Sequence, residues 1–138
     1  MRAEFTVYEW QPGRFYLVSA GAFERHDHDY LRKLAPKDGS VRLNALTTRL
    51  GVLVLAGPMS RKVLAKLTSA DLSNEAFPWL SGKEISVGTT TVHVLRVNFV
   101  GELGYEFHGP VEQQIELFDQ MMDAGKEFGI SPLGIKAM

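Results

Sequence analysis

The sequence contains no cysteine among its 138 residues. Disulfides, thiol nucleophiles and cysteine-type zinc sites are therefore excluded. A reducing compartment, the cytoplasm or the mitochondrial matrix, fits that absence, and a cytoplasmic location is the expectation. An excess of charge of either sign is also missing: 15 basic against 16 acidic residues leave a formal net charge of -1. Nothing electrostatic draws such a chain to nucleic acid or to an anionic membrane. Long hydrophobic runs are absent as well. The longest, Gly51-Val-Leu-Val-Leu-Ala-Gly57, falls far short of the roughly 20 residues that a membrane helix needs, so no membrane partner is expected. The opening Met1-Arg-Ala-Glu-Phe-Thr-Val has no signal-peptide core and reads directly as a strand. Low-complexity linkers and strong internal repeats are lacking too.

What is present is ordinary globular composition, 45% hydrophobic and 22% charged. A compact chain of this length buries roughly two-thirds of its unfolded surface, enough for a real core. A beginning on a strand and an end at Met138 without a closing helix read as a central piece, residues 1–138, of one longer domain.

Turn chemistry and periodicity divide the chain. Ala3 to Trp10 is rich in aromatic and β-branched residues, Gln11-Pro12-Gly13 is a turn, and Arg14 to Ser19 returns as a second strand. From Ala22 to Ala35, the spacing of Phe23, Tyr30, Leu31 and Leu34 predicts one helical face. Val41 to Thr47 alternates like a strand, and the apolar Gly51 to Ala56 reads as a central one. Gly57-Pro58 opens a helix over Met59 to Leu67, and Ser73 is an N-cap candidate for a shorter helical piece. Lys83 to Val87 and Val92 to Phe99 flank Gly88-Thr89-Thr90-Thr91 as a hairpin, and Tyr105 to His108 resumes the strand after Gly101-Glu102-Leu103-Gly104. Val111 to Phe128 is the clearest helix, with Val111, Ile115, Phe118, Met122 and, off centre, Met121 as its apolar stripe and Gly129 as its C′ residue. Helices return between strand pairs, so the expected class is α+β with largely antiparallel sheets and packed helices.

Three features carry candidate chemistry. Glu4, beside Phe5 at the start of the opening strand, is either a buried acid or base or an edge carboxylate facing water. Between Asn98 and Phe107 stand two glycines and two carboxylates. Gly101 and Gly104 permit either a positive φ or close approach of the backbone to a ligand. Glu106 lies between Tyr105 and Phe107, which point to the opposite face of the strand. It therefore faces solvent or enters a pocket. Third, His26-Asp27-His28-Asp29 has the wrong spacing for a metal, since His26 and His28 diverge by about 200° on a helix. Glu24 and His28 have the i, i+4 spacing, but two ligands do not make a site. A solvated helix face is the better account, and no metal is expected. His93 and His108 read as isolated strand histidines, and Gly101-x-x-Gly104 lacks the context and the lysine of a phosphate loop.

Several runs resemble the aminomethyltransferase (glycine-cleavage T-protein) family: Ala3-Glu-Phe-Thr-Val7, Phe15-Tyr-Leu-Val-Ser-Ala-Gly21, Leu55-Ala-Gly-Pro-Met-Ser-Arg61 and, above all, Phe99-Val-Gly-Glu-Leu-Gly-Tyr-Glu106. The passage Asp71-Leu-Ser-Asn-Glu-Ala-Phe-Pro-Trp79 looks most like the folate domain of sarcosine and dimethylglycine dehydrogenases. The similarity spans essentially the whole chain in order and spacing. It implies a cloverleaf fold, with this chain as one part of it, tetrahydrofolate as cofactor, and transfer of a one-carbon unit from an N-methyl amine or aminomethyl donor to that folate. In the dehydrogenase subgroup FAD belongs to a separate domain; no flavin-binding segment stands in this sequence. The resemblance implies an enzyme for the longer protein, and leaves open whether 138 residues turn over alone.

The same resemblance places Glu106 at the family's pterin-binding glutamate. Phe99 stands where relatives often have tyrosine beside the ligand, and Val18 forms an expected apolar wall. Glu4 stands where the family has its catalytic aspartate, one methylene longer, and a shift of about 1 Å matters for rate. Ser19 replaces an asparagine common in relatives, and a folate-contacting arginine of relatives lies just beyond Ala137-Met138. Two alternatives follow: a degenerate, non-catalytic folate-binding or structural module, and a folate-dependent demethylase domain. Expected partners are folate, a small amine-derived donor, and further copies of the chain associating through an apolar face.

Overall fold

The computed structural model describes residues 4–134. Ala3, the expected start of the first strand, and Ala137-Met138 lie outside the described residues. The chain divides into two compact units, Met1–Leu46 and Thr47–Met138.

The first unit holds a hairpin and a helix. Strand β1 (Thr6–Gln11) pairs antiparallel with β2 (Arg14–Val18), from Thr6 opposite Val18 to Gln11 opposite Arg14. The turn needs Gly13, whose φ is +75°. Trp10 and Tyr16 meet edge to face at 5.1 Å, and the Arg14 guanidinium lies over the Trp10 ring at 5.5 Å. After a 3-10 turn at Gly21–Phe23, helix α1 runs over Glu24–Leu34. Its acidic residues Glu24 and Asp27 sit in the first turn and its basic Arg32 and Lys33 in the last, matching the helix dipole. The expected apolar face is only partly realised: Phe23 and Leu34 are exposed, while Tyr30 and Leu31 are half-buried. Phe23 belongs to the 3-10 turn, so the α-helical spacing does not apply to it. Residues 41–47 are irregular, contrary to the strand expected there. Alternation alone does not make a strand without a neighbour to satisfy its backbone, and no ladder pairs these residues.

The second unit is a four-stranded antiparallel sheet in the order β3-β6-β5-β4 with helices on one face. The strands are β3 (Leu50–Ala56), β4 (Gly82–Val87), β5 (Thr90–Leu95) and β6 (Gly104–Pro110). Strand β3 is an edge, not the central strand that its apolar run predicts, and its Val52 and Val54 are exposed. Strands β4 and β5 form the expected hairpin through Gly88, whose φ is +58°. Strand β5 stops at Leu95 instead of continuing to Phe99. Helix α2 covers Ser60–Ala65. Ser73 closes a single turn, its hydroxyl accepting from the Ala76 N–H and its carbonyl from the Phe77 N–H, instead of a second helix. Helix α3 spans Gln114–Gly125 between 3-10 turns, and Gly129, at φ +71°, caps the second of these turns, at the place expected for the end of the helical run.

One face of this sheet and the two helices enclose the core: Leu55, Ile85, Val87, Val92, Val94, Tyr105 and Phe107 from the strands, Val63 and Leu64 from α2, Leu117, Met121 and Ala124 from α3, and Leu72 and Phe77 from the connection. The stripe that α3 buries is thus Leu117, Met121 and Ala124, at spacings of four and three. The expected stripe is met only in part: Met121 is buried and Met122 half-buried, whereas Ile115 is 77% exposed and Val111 and Phe118 are exposed too. The sheet thus buries the side of the helix that carries Leu117 and Ala124 beside Met121, not the side that carries Ile115 and Phe118. The α+β class with antiparallel sheets holds. Among the described residues no helix is long and apolar enough to cross a membrane.

Candidate functional site

Period-two alternation on β6 separates its side chains. Tyr105 and Phe107 enter the core, and the Tyr105 hydroxyl accepts a hydrogen bond from Arg61 Nε at 3.3 Å. Glu106 and His108 therefore point to the other face. Register then names their neighbours. Glu106 lies between Val54 of β3 and Leu95 of β5; His108 lies between Val52 of β3 and His93 of β5, and His93 in turn faces Glu84 of β4. Directly paired residues share a face, so two rows run side by side across the sheet: Val54–Glu106–Leu95 and Val52–His108–His93–Glu84.

Glu106 is only 8% exposed and His108 1%. His108 Nε2 lies 3.2 Å from Glu106 Oε2, and His93 Nε2 lies 2.9 Å from Glu84 Oε2. The expectation of histidines without visible partners is corrected: each strand histidine meets a carboxylate. For His108 the signal was in the sequence, because residues two apart in a strand share a face. For Glu84 it was not, since cross-strand register was needed.

The segment leading into β6 is built around Asn98. Its Nδ2 donates to the Glu102 carbonyl at 2.9 Å, and its Oδ1 accepts from the Val100 N–H at 3.2 Å. Gly101 takes φ +74°, and a Cβ on Gly104 would stand 2.7 Å from the Asn98 side chain. The two glycines thus have different reasons: one supplies a left-handed turn, the other the room for Asn98. Below this segment the Gly57 N–H and the Ser60 hydroxyl both donate to the Leu103 carbonyl, which ties it to the start of α2. A shallow depression of about 260 Å³ opens beside it, lined by Trp79, Arg96, Asn98, Gly101, Glu102 and Gly104 among others. Arg96 donates to the Phe77 carbonyl at 2.6 Å and so has a structural duty there. Phe99 sits at the tip of the segment and is 90% exposed.

The other two residues singled out from the sequence are in the first unit. Glu4 is exposed and precedes β1, and Val18 is half-buried at the end of β2, opposite Thr6. Next to Val18, Ser19 and His26 converge on Asp27. The His26 Nδ1 is 3.0 Å from Asp27 Oδ1, and the bonds from His26 and from the Ser19 hydroxyl hold the Asp27 carboxyl below its ordinary range despite burial. Asp27 is the one buried residue of α1, a position that composition did not reveal. Among the described residues no group of three or more histidines and carboxylates is placed to hold a metal ion.

A sequence profile of the GCVT N-terminal domain matches residues 1–138. The chain is 42% identical to human mitochondrial dimethylglycine dehydrogenase over 99% of its own length, and spans 16% of that protein. It is 30% identical to the mitochondrial pyruvate dehydrogenase phosphatase regulatory subunit of Mus musculus, over 90% of this chain and 14% of that one. Among solved structures, the heterotetrameric sarcosine oxidase from Corynebacterium sp. U-96, in complex with pyrrole 2-carboxylate, superposes with a TM-score of 0.71. At 22% identity, over 93% of this chain and 63% of the other, that likeness speaks for the fold alone.

Proposed function

The chain belongs to the GCVT N-terminal domain family, and from that premise we propose that residues 1–138 are the central, tetrahydrofolate-binding part of one aminomethyltransferase-like domain. In this reading a one-carbon unit from an N-methyl amine or aminomethyl donor is transferred to tetrahydrofolate. The observation that carries it is Glu106, a nearly buried carboxylate flanked by Val54 and Leu95 on the face of the sheet away from the helices. A pterin offers its ring N–H and exocyclic amine as adjacent donors, and one carboxylate accepts both. Apolar flanks sharpen the preference, because a ligand without that donor pair leaves the acceptor unmatched in a poorly hydrated place. Phe99 offers an open ring face for stacking on the ligand and no hydrogen-bond donor. Val18 serves as an apolar wall, and Glu4 as the acid–base group acting on the folate nitrogen that takes up the one-carbon unit.

Because the chain spans only 16% of the dimethylglycine dehydrogenase it matches, the activity of a whole protein is part of the proposal. The donor would be supplied by an FAD domain outside this sequence. A reducing compartment, cytoplasm or mitochondrial matrix, accompanies this reading: the absence of cysteine supports it, and the human relative is named mitochondrial. The solved neighbour is a heterotetrameric sarcosine oxidase, which supports association with further chains.

A second reading, a module that binds ligand without turnover, draws support from the likeness to a phosphatase regulatory subunit and from Glu4 in place of aspartate. Calorimetric titration with tetrahydrofolate kept reduced tests the common core of both. The Glu106→Gln variant is expected to bind at least about tenfold more weakly, the worth of a hydrogen bond to a charged group. Equal affinity for the two proteins, or no binding by either, would remove Glu106 as the pterin ligand. One-carbon transfer by the natural protein but not by its Glu4→Gln variant would favour the catalytic reading over the module.

A further inference from the structure

From the pairing on β6 we infer that His108 is a positioning residue for the pterin-binding carboxylate, setting which oxygen of Glu106 is left to meet which donor of the ligand. The inference rests on the reading of Glu106 given above and goes beyond it. Nothing in the family resemblance assigns His108 a part.

A carboxylate in this position is costly to hold. Glu106 is 8% exposed between Val54 and Leu95, both apolar. An ionised carboxylate in such a place needs hydrogen-bond partners, and its side chain needs a reason to hold one rotamer before ligand arrives. His108 supplies both. It lies two residues along the same strand, so its side chain is on the same face, and its own burial fixes the ring. Nε2 at 3.2 Å from Oε2 is within hydrogen-bond reach. An ionised carboxylate only accepts, so in this contact Nε2 carries the hydrogen and donates.

Two carboxylate oxygens offer about four acceptor sites. With Oε2 taking one bond from His108, enough remain for a bidentate donor pair, but no longer in any orientation. The pair must approach with one donor on Oε1 and the other on the side of Oε2 that His108 does not occupy. His108 therefore fixes the direction of the pterin's donor pair. It is the orientation, more than the mere presence of an anion, that distinguishes a ligand bearing both donors from one that lacks the exocyclic amine. The neighbouring His93–Glu84 pair shows the contrast: its carboxylate is 59% exposed at the outer strand, where water can solvate it.

The test compares two replacements of equal length in the intact protein. His108→Met removes the donor and keeps a buried, flexible side chain; His108→Gln restores a terminal N–H. Affinity is measured by calorimetry for tetrahydrofolate and for its 2-desamino analogue, which lacks the exocyclic amine. His108→Met is expected to weaken tetrahydrofolate binding about fivefold and the analogue much less, so that the preference between the two collapses. His108→Gln is expected to recover most of that preference. Equal weakening of both ligands by His108→Met, or no recovery by His108→Gln, would reduce His108 to a packing residue and overturn the inference. Glu106→Gln, run alongside, separates the two claims. If it weakens tetrahydrofolate binding while His108→Met leaves it unchanged, only the role of His108 fails. If it leaves binding unchanged, the reading of Glu106 fails and the role of His108 with it.

Discussion

Leu117→Ala should be among the most damaging single changes in α3, and Ile115→Ala on the same helix nearly silent. Leu117 is fully buried, in a cluster with Met121 and Ala124 against the sheet. Removing its side chain beyond Cβ forfeits the transfer free energy of one methine and two methyl groups, and leaves a cavity that the surroundings close only in part. Core leucine truncations of this kind cost about 2.7–5 kcal/mol. The complete burial here places the expectation near 3–4 kcal/mol, a large share of the 5–15 kcal/mol typical of whole domains. Ile115 is 77% exposed, so only about a quarter of the roughly 2 kcal/mol for burying such a side chain is at stake, near 0.5 kcal/mol. Urea unfolding followed by circular dichroism distinguishes the two. With a slope of about 2 kcal/mol/M the Leu117→Ala midpoint falls by nearly 2 M, and that of Ile115→Ala by about 0.25 M. Comparable losses in the two variants would refute the assignment of the buried stripe.

Two further outcomes follow from local geometry. Asp27 has its carboxyl lowered first of all by the hydrogen bond from His26, with the Ser19 hydroxyl adding to it; a lowered folded-state pKa gives stability that is full above the unfolded value of 3.8 and is lost as pH falls below it. Stability of the natural protein should therefore fall more steeply between about pH 4 and pH 2 than that of Asp27→Asn, as urea midpoints measured across that range would register; parallel slopes would count against the His26–Asp27 bond. For Gly104→Ala, the added Cβ meets Asn98 at 2.7 Å and displaces its bond to the Glu102 carbonyl. A loss of about 1–3 kcal/mol is expected, accompanied by weaker tetrahydrofolate binding; a variant as stable as the natural protein would show that the Asn98 bridge is dispensable.

Local chemistry made much of this fold readable in advance. Glycine at the turns of both hairpins, proline before α2 and glycine after α3 each act through backbone preferences that need no partner, and each of these elements is present. What failed was whatever depended on a partner. Val41 to Thr47 alternates as a strand would, yet it joins no ladder. The apolar run of β3 reads as buried on both sides, but its place in the sheet is an edge, and alternate residues are exposed. On α3 apolar residues stand on more than one side, and only the surface it packs on decides which side is buried.

The same division runs through the candidate site. Period two placed Glu106 opposite Tyr105 and Phe107 without any structure, but a face is not an environment, and both solvent and pocket remained open, with solvent the commoner case. Cross-strand register resolves the environment by adding Val54 and Leu95 at its flanks. Once the carboxylate is nearly buried, it must be matched, and the residue that matches it is the one the period already placed beside it. His108 was legible as a neighbour and not as a partner, because the need for a partner arises from burial. Burial turns a spacing of two residues into a hydrogen bond with a direction, and a direction is what a carboxylate requires before it can choose among ligands.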